Sequence, residues 1–104
     1  MKIAITSEGN SEKSQFDRKF GRAAWICVFD KANNEIVFVE NKNKNLNGGA
    51  GTKTAEKIAE LGVEKVISGD FGPKAKEMLS KLKIDMIILQ RNKSSIEEII
   101  NDLT

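Results

Sequence analysis

The chain has 104 residues, enough for one modest hydrophobic core, so a single domain over 1–104 is expected. Hydrophobic residues make up 39% and charged residues 31%, an ordinary soluble composition, and no apolar run approaches the ~20 residues of a membrane span or forms a secretory signal core after Lys2. The net charge of +2 comes from scattered lysines, which fits a solvated surface and argues against nucleic acid as a partner.

In chain order, Lys2-Ile3-Ala4-Ile5-Thr6 is short, apolar and partly β-branched, which predicts a first strand. Ser7 to Arg22 is a polar loop with two aromatics, Phe16 and Phe20, and it ends in Lys19-Phe20-Gly21-Arg22. A loop this long is usually functional or mobile. Ala23 to Phe29 is almost continuously apolar, the pattern of a strand covered on both faces. By period two, Trp25, Cys27 and Phe29 share one face of it. Asp30 to Asn34 supplies turn residues, and Glu35 to Glu40 follows as a third strand, antiparallel to the second. Its charged ends suit a sheet edge. Asn41 to Asn45 reads as a solvated loop.

Asn47-Gly48-Gly49-Ala50-Gly51-Thr52 then separates a strand-rich half from a helix-rich half. Ala55, Ile58, Ala59 and Gly62 recur at the spacing of one helix face, predicting a helix over 51–61 with Gly62 as its stop. Lys65 to Ser68 is a fourth strand, followed by Gly69-Asp70-Phe71-Gly72-Pro73, where the proline suits the first position of a helix. Ala75, Met78, Leu79 and Leu82 form the face of that second helix. Asp85 to Leu89 is a fifth strand. Ser94 and Ser95, each with a glutamate three residues on, offer two overlapping capping boxes for a third helix with Ile96, Ile99, Ile100 and Leu103 on its face.

The order βββαβαβα implies parallel strands four and five, and a right-handed crossover that lays strand four beside strand one. The expected fold is α/β: a mixed five-stranded sheet of order 3-2-1-4-5, with strand two antiparallel and helices on both faces, a ribonuclease-H-like three-layer arrangement. Ligands of such sheets sit beyond the carboxyl ends of the parallel strands. Three loops meet there: Ser7 to Arg22, Asn47 to Thr52, and Ser68 to Pro73. The glycine-rich stretch is either a flexible joint between two elements or, because a glycine-rich helix start presents bare N–H groups at the positive end of the helix dipole, a seat for an anion.

Catalysis finds little support. Histidine is absent, so Ser7 and Ser68 lack the usual activating base. Strand one carries no carboxylate, which excludes the two-metal chemistry of ribonuclease-H nucleases. Asp70 reads first as a cap or turn carboxylate and second as a ligand-facing group. Cys27 stands in an apolar run, where a free cysteine is usually a small buried hydrophobe, with ligation of a soft metal as the second reading. As the only cysteine it excludes an intrachain disulfide and suits a cytoplasmic setting. Arg22 and Lys19 near Gly21 read either as ordinary surface charge or as partners of an anion held by the helix starts.

The start Met1-Lys2-Ile3-Ala4-Ile5, the Phe20-Gly21-Arg22-Ala23 stretch, the Gly48-Gly49-Ala50-Gly51 loop and the Gly69-x-x-Gly72-Pro73-x-Ala75 turn occur in this order and spacing. Together they resemble the dinitrogenase iron-molybdenum cofactor biosynthesis family, of the NifX and NifB C-terminal type, over nearly the whole chain. The resemblance implies a non-enzymatic carrier that holds an iron–sulfur or iron–molybdenum type cluster or its precursor; the expected partners are that metal cofactor or a small anion, with room for a protein partner in cofactor assembly, and the expected state is a monomer or weak dimer. The family commonly has one histidine where Lys19 stands and another where Leu46-Asn47 stands; the backbone cradle and Arg22 carry over, while histidine ligation does not. The candidate binding set is Lys19, Phe20, Gly21, Arg22, Asn47, Gly48, Gly49, Ala50, Gly51, Gly69, Asp70 and Gly72, with no catalytic or metal-ligating residue assigned. A regulatory or interaction domain of the same fold that has lost the ligand stays open as the second reading.

Overall fold

The structure is a computed structural model that describes residues 1–91 and 93–104. Its strands are β1 (Lys2–Ser7), β2 (Trp25–Asp30), β3 (Glu35–Glu40), β4 (Lys65–Ser68) and β5 (Asp85–Ile88); its helices are α1 (Ala50–Glu60), α2 (Pro73–Lys81) and α3 (Ile96–Leu103). The sheet order is β3-β2-β1-β4-β5. β2 runs antiparallel to both β1 and β3, while β4 runs parallel to β1 and β5 parallel to β4. The expected sheet is therefore the observed one.

Strand alternation divides the interior into two cores. Ala4, Ile26, Val28 and Val66 face α1 and α2 and meet Ala55, Ile58, Ala75 and Leu79. Ile3, Ile5, Cys27, Phe29 and Ile67 face the other way and meet Ile96, Ile99 and Ile100 of α3. Each helix buries a stripe at the 3–4 residue spacing its sequence carries. Trp25 is half-buried and lies outside the α3 core, so only Cys27 and Phe29 of the expected trio share it. Trp25 pairs with Ser7 in the last rung of the β1–β2 ladder.

The long loop after β1 is pinned rather than loose. Phe16 enters the α3 core and Phe20 the α1/α2 core. Along the loop, bridges join Ser7 to Phe16, Gln15 to Ser95 and Lys19 to Asp70. Of the two capping boxes offered, only Ser95 with Glu98 forms. Ser94 is buried, with its carbonyl accepting the Phe16 N–H, which fixes it outside the capping position.

Cys27 is fully buried, and that burial, with a smaller contribution from the negative charge of Glu12, pushes its thiol pKa up to about 12. A group whose folded pKa is raised contributes stability that is present below its unfolded value and is lost as pH climbs toward the folded one. Cys27 should therefore resist thiol reagents at neutral pH and react only as fast as the chain opens. Its share of stability should decline between about pH 9 and about pH 12, a component absent from Cys27→Ala. Rapid modification of the folded protein would place the thiol at the surface.

Candidate functional site

β3, β1, β4 and β5 run in one direction, so α1 and α2 both start at the same edge of the sheet and on the same face. Between their first turns lies a cleft of about 530 Å³. Lys19, Phe20, Gly21 and Arg22 form one wall, Gly49, Ala50, Gly51 and Thr52 a second, and Asp70 with Gly72 to Ala75 the third. Most of the candidate set thus gathers in one place. Asn47 and Gly48 lie outside the lining, on the exposed approach to α1. Gly69 also lies outside it, buried against Arg18, where an added Cβ would come within 2.6 Å of the arginine Cβ.

The two helix starts share an electrostatic character. Neither has a side-chain cap and neither has an acidic residue in its first turn. Among the described residues, the amides of Ala50, Gly51 and Thr52, and those of Lys74 and Ala75, donate to no protein acceptor. Pro73 at the start of α2 has no amide to satisfy. α3, which begins elsewhere, shows the contrast: its capping box and its Glu97 and Glu98 answer the same need internally. Three cations, Lys19, Arg22 and Lys74, line the cleft against one carboxylate, Asp70.

Glycines build the cleft in two ways. Gly49 holds φ +75 as the N-cap of α1, a left-handed conformation that costs other residues about 1–2 kcal/mol. Gly21 is needed for close approach: a Cβ there would stand 2.7 Å from the Gly51 nitrogen. Gly72 has open space where its side chain would be.

A buried polar latch holds the Gly21 segment in place. Asn41, 1% exposed, donates through Nδ2 to the carbonyls of Gly21 at 3.1 Å and Ala23 at 2.8 Å, and its Oδ1 accepts from the Thr54 hydroxyl at 3.3 Å. Thr54 also reaches the Gly21 carbonyl. Arg22 is partly committed nearby: one terminal nitrogen donates to the carbonyls of Lys44 at 2.8 Å and Leu46 at 3.0 Å, bracing the loop before α1. Phe20 is 2% exposed and packs on Phe71 with ring centroids 5.1 Å apart, so it supports the cleft from the core side. Sequence reasoning did not single out Asn41, Thr54 or Lys74. Lys74 was findable as the residue after an N1 proline; Asn41 sits in a polar run that looks solvated.

The donor set limits what metal chemistry fits. No group of three or more His, Cys, Asp or Glu side chains able to hold a metal ion occurs among the described residues. Amides, ammonium and guanidinium groups attract negative charge but do not coordinate iron, which needs thiolate, imidazole or carboxylate. The cleft therefore suits an anion, including a cluster that brings its own metal ligands, and not a cluster tethered through protein thiolates.

The family model for dinitrogenase iron-molybdenum cofactor matches residues 1–104. An uncharacterized protein of Methanocaldococcus jannaschii is 34% identical over 103 residues, covering 96% of this chain and 82% of that protein. The apo form of the orange protein from Desulfovibrio gigas superposes with a TM-score of 0.91 at 29% identity, covering 98% of this chain and 85% of that chain. A NifB-assigned Thermotoga protein of the DUF35 family shares the fold at a TM-score of 0.81 and 24% identity, covering 98% of this chain and 85% of that one.

The different uses of glycine give a direct test. Gly21→Ala should cost on the order of 1–3 kcal/mol in urea unfolding, because its Cβ meets helix backbone that cannot swing away. Gly72→Ala, with open space and a φ of −66, should stay within about 0.5 kcal/mol of wild type. Equal effects would show that the two segments do not pack as described.

Proposed function

The chain belongs to the dinitrogenase iron-molybdenum cofactor family, and from that premise we propose that it is a small non-catalytic carrier. Its cargo is an anionic cluster of the iron–molybdenum or iron–sulfur type, held between the starts of α1 and α2. The observation that carries this reading is the convergence of two uncapped, acid-free helix starts on one cleft lined by Lys19, Arg22 and Lys74. That a 29% identical relative is described in an apo form fits a protein that alternates between empty and loaded states.

The division of labour follows from the chemistry of the walls. The five unpaired amides supply fixed, short-range donors. The lysine and arginine side chains add longer-range attraction and orient the cargo's negative surface toward the helix starts. Gly72, with nothing within 4 Å of its missing side chain, lets the cargo approach the backbone. Because the cleft offers no thiolate or imidazole and only one carboxylate, Asp70, the cluster keeps most of its own ligands and is free to leave, which suits hand-over to a protein partner in cofactor assembly.

Anaerobic titration with isolated iron–molybdenum cofactor tests the proposal. Wild-type affinity should fall as salt rises, because contacts with exposed charges are screened over a Debye length of ~10 Å at 0.1 M. Lys19→Glu should weaken binding at low salt by roughly tenfold or more. Lys19→His should bind more tightly and with less salt dependence, since imidazole coordinates iron. Tight, salt-insensitive binding by wild type would reveal a protein ligand to the metal. No binding by any form would favour an interaction domain that keeps the fold without the cargo.

A further inference from the structure

A seat for an anion has no evident use for a carboxylate, yet Asp70 lines this one. Asp70 lies two residues before Gly72, the N-cap of α2, where a side chain could serve the helix start, but α2 has no side-chain cap. Among the described residues no ion pair or hydrogen bond holds the Asp70 carboxylate. Asp17, two residues before Lys19, is engaged instead: its carboxylate accepts from the Lys19 amide at 2.9 Å. The Asp70 backbone is fixed from both sides. Its carbonyl accepts the Phe20 N–H at 3.2 Å, and the next residue, Phe71, is 3% exposed against the Phe20 ring. The chain thus presents an uncommitted negative group beside the donors of two helix starts.

Resting on the anion-seat reading, we propose that Asp70 is the selectivity residue of the cleft. A carboxylate is an acceptor only, so it repels an anion that offers nothing positive and welcomes one that brings a proton or an electropositive metal face. Specificity of this kind comes from a repulsive element set against the wrong ligand. The ligand class is therefore an anion of mixed character: negative toward the α1 and α2 amides, and acidic or metal-bearing toward Asp70. Fully deprotonated oxyanions such as sulfate are disfavoured.

The test compares wild type, Asp70→Asn and Asp70→Ala by calorimetric titration at low salt. The probes are sulfate, inorganic phosphate at about pH 6, where it keeps acidic protons, and isolated iron–molybdenum cofactor under anaerobic conditions. Asp70 is exposed, so both variants should melt like wild type. Wild type should prefer phosphate to sulfate by about tenfold, and Asp70→Asn should narrow that preference by gaining roughly tenfold in sulfate affinity. Asp70→Ala, which cannot accept a proton-borne hydrogen bond, should also lose phosphate affinity. Both variants should bind the cofactor more weakly while binding sulfate more tightly. Shifts in one direction for every probe, or no shift, would overturn the selectivity role while leaving the anion seat standing. Failure of all three proteins to hold any probe would overturn the seat itself.

Discussion

The shared direction of four strands is the constraint on which the rest depends. β3, β1, β4 and β5 run the same way, and only β2 runs against them. A helix leaving the end of β4, or following β3 through a loop, must therefore start at one edge. Parallel pairing of β1 with β4 then brings the starts of α1 and α2 side by side over one core. Each start carries amides the helix cannot satisfy. The cleft is a consequence of topology before any side chain is considered, and the side chains then give it a sign.

Local sequence supports that topology at each level. The apolar run of β2 requires cover on both faces, and α1 and α2 on one side and α3 on the other supply it. The Asn41–Thr54 latch spans the strand half and the helix half and fastens the Gly21 segment to α1. Such buried polar links are strong when every member is satisfied, and no buried side-chain nitrogen or oxygen lacks a partner among the described residues. The Asn41–Thr54 latch holds the cleft without using the amides at the two helix starts, which leaves those amides available, while Arg22 also braces the loop before α1.

Much of this was legible in the sequence because it depends on short-range pattern. The strands announce themselves by apolar runs, the helices by spacing, and the sheet order by the crossover rule. What was not legible depends on neighbours through space. Asn41 belongs to a polar run indistinguishable from a solvated loop until its carbonyl partners are placed. Gly21, Gly69 and Gly72 look alike in sequence, yet one admits a helix backbone, one admits Arg18 and one faces open space. Ser94 and Ser95 offered equal boxes, and a backbone bond from Phe16 decided between them. In sequence Asp70 reads as a cap or turn carboxylate, and α2 has no side-chain cap.

The central claim is that the amides of Ala50, Gly51, Thr52, Lys74 and Ala75 are donors awaiting an anion. A crystal structure of the protein grown from phosphate tests it most directly. The account predicts tetrahedral density in the cleft within hydrogen-bond reach of these amides at the starts of α1 and α2. Clean maps in which the same amides are all paired with protein groups would contradict it.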